Sequence, residues 1–176
     1  IEAFEELKQE GVIRYYGISS IRPNVIREYV KRSNIVSVMM QYSLLDRRPE
    51  ELFPLLKAHD ISVIARGPVA KGLLTDRPLE AASEAVKTSG YLDYTYEELQ
   101  RLLPALKANT TAHRSFTATA LQFCLSDPVV AAVIPCASSL EQLTDNIAAI
   151  SMPALTNEEY EWLKQQTKAS IYETHQ

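Results

Sequence analysis

Several residues that could bind a small molecule stand at the ends of short apolar runs. Ser19 and Ser20 follow the first run, Gln41 ends the second, and Arg66 ends the third. Their hydroxyl, amide and guanidinium groups provide short hydrogen-bond donors and acceptors. These residue types indicate a polar binding site at the ends of the runs.

A second group of residues follows Pro135 and suits an anion. Three small residues, 136–138, precede a helical pattern that begins near Ser139. The N–H groups at the start of a helix, together with its dipole, attract negative charge. Asp145 and Asn146 add hydrogen-bonding side chains on one helical turn. A capped amphipathic helix with a polar outer face is the alternative, and it explains the same composition.

Gly67 and Gly72 enclose a third candidate segment that contains Lys71. Glycine lets the backbone approach a ligand closely, and lysine adds a point charge for phosphate. A plain turn with a solvated lysine is the alternative. Ordinary roles also exist for Ser20, as a helix cap, and for Arg66, as a surface residue at a strand end.

The apolar runs predict four β-strands, over residues 12–18, 36–41, 61–66 and 129–134. Helical patterns lie between them. This alternation predicts βαβ units, with parallel strands adjacent in chain order and helices on the outer face. The first and last runs are apolar nearly throughout, which predicts strands covered on both faces.

Capping chemistry predicts where the helices begin. A helix over 23–32 has Ser20 upstream as a cap, and one over 49–59 starts with Pro and two Glu. Ser139 opens a third helix, and Thr156 opens a fourth with a capping box. The helices are therefore predicted from local sequence alone.

Residues 67–109 interrupt the alternation. The polar stretch over 74–95 predicts a long loop. Loops of this length are usually lids or binding loops, and a disordered insertion is the alternative. An open doubly wound sheet and half of a closed barrel both fit the alternation. The five glycines form neither GxGxxG nor GxxxxGK[ST], and the missing phosphate loop favours the barrel.

Composition excludes several classes of function. A formal net charge of −4 argues against binding to nucleic acid or to a membrane surface. Cys124 and Cys136 lack zinc spacing and predict unpaired thiols in a reducing cytosol. The sequence predicts neither a secretory signal nor a membrane span. Residues 1–11 form a helical stripe that stops at Gly11 without a preceding cap, as expected of a fragment.

Four segments, taken in order, resemble consecutive strand ends of the aldo-keto reductases. Residues 11–20 (GVIRYYGISS) resemble the family's G-K-I-R-x-x-G-V-S-N, and 41–47 (QYSLLDR) resemble Q-x-x-Y-N-L-L-x-R. Residues 65–75 (ARGPVAKGLLT) resemble Y-S-P-L-A-x-G-L-L-T, and 134–146 (IPCASSLEQLTDN) resemble I-P-G-x-S-x-x-E-Q-L-x-E-N. The resemblance implies that residues 1–176 are the C-terminal half, strands five to eight, of one α/β domain, a (β/α)₈ TIM barrel.

The resemblance also implies an NADP (NADPH) site. Ser19, Ser20 and Gln41 would hold the nicotinamide carboxamide, and Arg66 stands where many members place an aromatic ring that stacks on the nicotinamide. The loop from Gly67 would pass over the pyrophosphate, and the segment after Pro135 would take the 2′-phosphate and the adenosine. The cofactor residues implied in this way are Ser19, Ser20, Gln41, Arg66, Gly67, Val69, Lys71, Gly72, Cys136, Ala137, Ser138, Gln142, Asp145 and Asn146.

Three departures from the family pattern bear on the cofactor. Ser20 replaces the usual Asn and Cys136 the usual Gly, while neither Lys nor Arg occurs between Pro135 and Asn146. The preference for NADP over NAD is therefore implied by the family rather than by these residues. Cys136 is either a reactive thiol near a helix start or an inert small residue.

For activity, the resemblance implies NADPH-dependent reduction of aldehydes or ketones. The nicotinamide gives a hydride to the carbonyl carbon, and a Tyr, assisted by Lys, Asp and His, gives the proton. In the family those four come from the first four strands, so no catalytic residue and no metal ligand is assigned here. His59, His113 and His175 are predicted to be structural or solvated, and Tyr15 and Tyr16 lack such partners in sequence.

Two alternatives to the enzyme remain. The chain could be a non-catalytic nucleotide-binding subunit similar to the potassium-channel β-subunits, or an inactive half-barrel fragment. The expected partners are a small-molecule carbonyl substrate and the N-terminal half of the barrel, with a homo-oligomer as a further expectation. The expected location is cytoplasmic, with no nucleic-acid or membrane partner.

Overall fold

The computed structural model describes residues 1–109 and 114–174, so two predicted solvated residues, His113 and His175, lie outside the described residues. Helices and strands alternate along the chain, as predicted. In chain order the elements are α1 (Glu2–Gln9), β1 (Gly17–Ser19), α2 (Pro23–Arg32), β2 (Ser37–Gln41), α3 (Phe53–Ala58), β3 (Ser62–Arg66), α4 (Glu84–Ser89), α5 (Tyr96–Ala108), α6 (Phe116–Leu125), β4 (Val130–Ile134), α7 (Leu140–Ala148) and α8 (Asn157–Gln166).

The four strands form one parallel sheet in the order β1-β2-β3-β4. The predicted direction and neighbours are thereby confirmed. Gln41 pairs with Arg66, and Arg66 pairs with Ile134, so the last residues of β2, β3 and β4 stand in one row. Because parallel strands all end at the same edge of a sheet, the candidate residues collect there.

The predicted first strand over 12–18 is present but shorter: β1 covers Gly17–Ser19, so the prediction is wrong for residues 12–16. Gly11, at φ +74°, ends α1, and the N–H groups of Val12 and Ile13 both bond to the carbonyl oxygen of Leu7 at the end of that helix. These residues therefore cannot join the sheet. A Cβ at Gly17 would lie 2.6 Å from the backbone oxygen of Ser37, so this strand requires glycine at its start.

Helices cover one face of the sheet and leave the other open. Val38, Met40, Val63 and Ala65 alternate along β2 and β3, are fully buried, and belong to the main core. On β4, by contrast, three of five residues are exposed, and Ile134 is 45% exposed. The prediction that the first and last strands are covered on both faces is wrong, since the described elements leave this face of β4 open.

Two buried arginines attach the C-terminal part of the chain. The Nη1 group of Arg47 donates to the carbonyl oxygen of Lys164 at 2.7 Å, and its guanidinium pairs with Glu50 at 2.9 Å. Arg114 donates from Nε to the carbonyl oxygen of Pro153 at 2.7 Å. Removing a charge from water costs several kcal/mol, on the order of the energy gained from pairing it. A buried arginine therefore needs such partners.

Most helix predictions are confirmed. Ser139 caps α7 by accepting from the N–H of Gln142, and Thr156 forms the predicted capping box at α8. The helix predicted over 49–59 is divided into a 3₁₀ turn, Arg48–Leu52, and then α3. Local hydrogen-bonding chemistry therefore fixes these helix starts.

The prediction of a long loop over 74–95 is wrong in part. This segment contains a 3₁₀ turn at Leu79–Ala81 and the helix α4, and it buries Leu74, Val86, Tyr91 and Tyr94. Its apolar residues are too widely spaced to give a recognisable period. Packing against the rest of the core, rather than local pattern, orders the segment.

Within residues 1–109 and 114–174, no helix is long and apolar enough to cross a membrane, and no cluster of His, Cys, Asp or Glu could hold a metal ion. Cys124 is buried and Cys136 exposed, and neither forms a disulfide, as predicted. His59 is exposed at the end of α3, where its Nδ1 lies 3.0 Å from the carbonyl oxygen of Leu55. The described chain thus matches the predicted solvated role of this histidine.

Replacing Gly90 by Ala is expected to destabilise the fold more than the matched change at Gly11. Both residues have nearly the same φ, +76° and +74°, which costs an L-residue about 1–2 kcal/mol. A Cβ at Gly90 would also lie 2.0 Å from the carbonyl oxygen of Tyr94, whereas a Cβ at Gly11 meets nothing within 4 Å. Overpacking adds roughly 1–3 kcal/mol.

Urea unfolding of Gly90→Ala and Gly11→Ala measures the difference in the free energy of unfolding. Equal losses in the two variants would contradict the close approach of Tyr94 to Gly90.

Candidate functional site

The structure brings four of the predicted residues together at the carboxyl edge of the sheet. The Nη1 group of Arg66 donates to Oε1 of Gln41 at 3.3 Å. Ser19 pairs with Met39, two residues before Gln41 on β2. A cleft of about 540 Å³ adjoins these groups and is lined by Ile18, Ser19, Ser20, Ile21, Arg22, Val25, Tyr29 and Arg66.

Ser20 is not the cap of α2 that the sequence predicts. Arg22 is the N-cap residue and makes no side-chain cap, while the hydroxyl of Ser20 accepts from the N–H of Arg22 at 3.1 Å. The backbone N–H of Ser20 donates to the carbonyl oxygen of Met39 at 3.0 Å and so extends the ladder between β1 and β2. Ser20 therefore stabilises the turn beside the cleft, where its hydroxyl can still meet a ligand.

Three residues that sequence reasoning missed surround Gln41. Its Nε2 donates to Oδ2 of Asp46 at 2.9 Å and lies 3.4 Å from the hydroxyl of Tyr91. Arg48 donates to both oxygens of the Asp46 carboxylate, at 2.7 and 2.8 Å. The only sequence signal was proximity, since Asp46 stands at an open position within the Gln41 motif and Arg48 follows that motif directly, and nothing local points to Tyr91.

Burial keeps two phenols of this region protonated. Burial, followed by the charge of Asp46, raises the pKa of Tyr91 to about 12. The same causes raise the pKa of Tyr172, whose ring lies 5.0 Å from the guanidinium carbon of Arg48. Hydrogen bonding to Asp46 raises the pKa of Arg48. The cluster therefore keeps neutral phenols beside one firmly paired ionic couple at neutral pH.

The loop after β3 has an unusual backbone. Gly67, Ala70, Lys71 and Gly72 all have positive φ, at +66°, +47°, +57° and +89°. Left-handed conformations cost non-glycine residues energy, and such strain concentrates at ligand sites. Lys71 is exposed, whereas Val69 is buried.

The side chain of Val69 lies in a small cluster with Ala118, Leu121 and Ala149. The side chain of Val69 therefore packs the loop against α6, and only the backbone of Val69 is left to contact a ligand.

Asp76 attaches the following segment to the start of α6. Its carboxylate accepts from the N–H of Phe116 at 3.1 Å and from the hydroxyl of Thr117 at 3.3 Å. A carboxylate at a helix start satisfies free N–H groups and complements the helix dipole. The segment over 77–95, which carries Tyr91 to Gln41, is anchored at its beginning by this contact.

The loop after β4 folds onto α7. The N–H of Ser138 donates to Oε1 of Gln142 at 2.8 Å, and Nδ2 of Asn146 lies 3.4 Å from the carbonyl oxygen of Cys136. Asp145 is exposed. The structure thus places Cys136 and Ser138 against residues of α7 with which they were grouped, with Ala137 between them in the chain, although the N–H of Ser138 already donates to Gln142.

A larger cavity, of about 1060 Å³, lies elsewhere, between α6, α7 and the start of α8. Of the predicted cofactor residues it includes Asn146, but Ser19, Gln41 and Arg66 do not line it. Its apolar lining suits packing rather than recognition of a charged nucleotide. The polar edge of the sheet is the better candidate site because the predicted donors and acceptors converge there.

An α/β sheet with polar groups gathered at the carboxyl ends of parallel strands defines a class of ligand-binding proteins and enzymes. The chain belongs to the aldo-keto reductase family: the sequence model of the Aldo/keto reductase family matches residues 1–167. Members of this family are oxidoreductases that use nicotinamide cofactors. The family that the four motifs predict is thereby confirmed.

Two similar proteins come from Bacillus species. The chain is 61% identical over 175 residues to the uncharacterized oxidoreductase YqkF of Bacillus subtilis (strain 168), covering 99% of this chain and 57% of that protein. The structure of aldo-keto reductase AKR11C1 from Bacillus halodurans, in its holo form, aligns with a TM-score of 0.89 at 56% identity, again covering 99% and 57%.

A more distant relative is the NADH-specific methylglyoxal reductase of Escherichia coli (strain K12). It is 26% identical over 157 residues, which cover 86% of this chain and 48% of that protein. The chain therefore spans about half the length of the relatives it matches.

Replacing Asp76 by Ala is expected to loosen the segment that carries Tyr91. Loss of one helix cap costs about 1–2 kcal/mol, which corresponds to roughly tenfold more frequent local opening of the segment and of the start of α6. Hydrogen exchange measured by mass spectrometry should show faster exchange at 116–118 and over 77–95. Glu80→Ala, which removes an exposed acid from the same segment, is the control. Equal exchange in the two variants would show that Asp76 does not anchor the segment.

Proposed function

We propose that this chain supplies the nucleotide-binding part of an aldo-keto reductase that uses NADPH to reduce aldehyde or ketone carbonyls. The observation that carries the proposal is the contact of Arg66 with Gln41 at the shared carboxyl edge of β2 and β3. In a chain of this family, that edge brings together the residues expected to hold the nicotinamide.

The residues present fit a nicotinamide carboxamide. An amide ligand needs an acceptor for its N–H groups and a donor for its oxygen. The hydroxyls of Ser19 and Ser20 are donors that line the cleft. Oε1 of Gln41 is the acceptor, and it lies next to the cleft through its contact with Arg66, which lines it. Arg66 is planar and exposed, so its guanidinium can stack on a flat ring.

The loop from Gly67 to Gly72 fits the pyrophosphate. A Cβ at Gly72 would meet nothing within 4 Å, so open space adjoins the backbone there. The exposed ammonium of Lys71 is free to move toward a phosphate, to which it would contribute a point charge. The strained backbone of this loop also supports a binding role.

The start of α7 fits the adenosine end of the nucleotide. Gln142, Asp145 and Asn146 lie on consecutive turns of a helix capped by Ser139. Anions are stabilised at such a helix start. Because 135–146 contains neither Lys nor Arg, the helix start and small residues would have to hold the 2′-phosphate alone.

When bound, the nicotinamide supplies the hydride, and this chain's residues hold and orient it. The proton donor is proposed to come from the remainder of a complete barrel. Two unpaired thiols support a reducing, cytoplasmic location.

The nucleotide-binding role predicts that NADPH quenches the protein's fluorescence at lower concentration than NADH. Asp145→Ala combined with Asn146→Ala is expected to lower the affinity for both NADPH and NADH about tenfold, since each lost hydrogen bond costs about 0.5–1.5 kcal/mol. Glu97→Ala with Gln100→Ala removes a similar acid and amide from the exposed side of α5 and is the control. Unchanged affinities in the α7 variant would contradict the proposal that Asp145 and Asn146 contact the adenosine.

Turnover is tested in a chimera in which this chain replaces the matching segment of the Bacillus subtilis relative. The chimera is expected to consume NADPH with an aldehyde or ketone, and the 176-residue chain alone is not. A chimera that binds NADPH without turnover would favour a non-catalytic nucleotide-binding subunit instead. Turnover by the chain alone would place a proton donor within it.

A second part of the proposal concerns the partner surface. Leu140, Leu143, Ile147 and Ile150 form one apolar stripe along and just beyond α7, and they are 80%, 48%, 59% and 83% exposed. Contiguous apolar surface of this kind normally contacts another protein surface. We propose that the N-terminal half of the barrel packs here and on the open face of the sheet.

Without that half, the 176-residue chain is expected to form dimers or larger assemblies. Light scattering should report particles above the 19.8 kDa monomer, and Leu140→Gln with Ile147→Gln should reduce them. Ile171→Gln, which removes an exposed apolar residue elsewhere, is the control. A stable monomer would contradict the proposed partner surface.

A further inference from the structure

The carboxylate of Asp46 is one of the most enclosed charges among the described residues. Its side chain is 0% exposed, and Arg48 holds both of its oxygens, at 2.7 and 2.8 Å. A buried carboxylate is retained only when donors satisfy it, and a two-pronged arginine contact does so with fixed geometry. The third donor to this carboxylate is the amide of Gln41, at 2.9 Å.

This contact decides which way the Gln41 amide faces. A carboxylate accepts hydrogen bonds and cannot donate them, so the NH₂ end of the amide must point to Asp46. The hydroxyl of Tyr91 lies 3.4 Å from the same nitrogen. The carbonyl end of Gln41 then points outward, where it accepts from Arg66 at 3.3 Å. A flipped amide would set its oxygen against the carboxylate.

We propose that Asp46, held by Arg48, is a positioning residue that fixes Gln41 as an acceptor for the nicotinamide carboxamide. The proposal rests on the proposed function, since it assigns a role toward the nicotinamide. The Asp46 side chain is fully buried and contacts Gln41, so its role toward a ligand is exerted through Gln41. A glutamine without this neighbour could present either its oxygen or its NH₂ group, and only the oxygen accepts from an amide N–H.

The turn after β2 places the carboxylate of Asp46 next to the amide of Gln41. Ser43 and Asp46 exchange backbone hydrogen bonds at 3.2 and 3.0 Å, which folds Asp46 back beside Gln41. The family motif that contains Gln41 leaves the position of Asp46 open. The role inferred for Asp46 therefore comes from the geometry of this chain and not from the motif.

The test compares a ligand that has the nicotinamide with one that lacks it. Asp46→Asn can present either an oxygen or an NH₂ group to Gln41, so it removes the constraint with little change in volume. Affinity for NADPH is expected to fall about tenfold, the size of one charge-assisted hydrogen bond. Affinity for adenosine 2′,5′-bisphosphate should change less than about twofold. Calorimetric titration measures both.

Asp127→Asn is the matched control. Asp127 is another carboxylate in an ion pair, with Lys57 at 2.9 Å, and its side chain is mostly buried, but it precedes β4 at the opposite edge of the sheet. Neither ligand should lose affinity in this variant. The measurements use the 176-residue chain or the chimera, whichever binds NADPH in the test above.

A double-mutant cycle shows whether Asp46 acts through Gln41. In a Gln41→Ala background, adding Asp46→Asn should change NADPH affinity less than about twofold, because the residue that it positions is already gone. If Asp46→Asn does not fold, as judged by its thermal melting curve, Arg48→Lys provides the same comparison by removing the two-pronged contact.

Three results would overturn the proposal: equal losses for both ligands, additive losses in the cycle, or unchanged NADPH affinity in Asp46→Asn. Equal losses would mean that Asp46 only maintains the fold. Failure of the proposed function looks different, because the unmutated chain and the chimera would then bind neither ligand.

Discussion

Parallel pairing of the four strands in chain order is the constraint on which the candidate site depends. The chain passes through at least one helix between successive strands, so every strand runs in the same direction and all four carboxyl ends lie at one edge of the sheet. Gln41, Arg66 and Ile134 come from distant parts of the sequence, yet the register sets them in one row. Loops that follow these residues are brought to the same edge, where the proposed nucleotide would meet them.

The edge is kept rigid by charges that are buried but fully paired. Arg47 ties the turn after β2 to the end of α8, and the adjacent Arg48 holds Asp46. Neither pair adds much net stability, because desolvation offsets attraction between buried charges. Their effect is on geometry, since a satisfied network permits one arrangement and penalises others. Such order suits a site that must hold a ring in a defined orientation.

Strain and open apolar surface lie outside this network. The left-handed residues Ala70 and Lys71 follow β3, and the exposed leucines and isoleucines of α7 follow β4. Both features cost a protein free energy when nothing contacts them. The proposed nucleotide would contact the strained loop, and the proposed partner surface would cover the apolar stripe, so each proposal accounts for one of these costs. The chain spans 57% of the length of its two Bacillus relatives.

The sequence by itself determined the strand order, the helix starts at Ser139 and Thr156, and the positions of Gln41 and Arg66, because these follow from periodicity, capping chemistry and local motifs. Only the tertiary structure decided that β1 is three residues long, since the end of α1 withholds Val12 and Ile13 from the sheet. It also ordered the segment that carries Tyr91 and joined Asp46 to Gln41. Those outcomes depend on contacts between separated parts of the chain, which no local pattern of residues records.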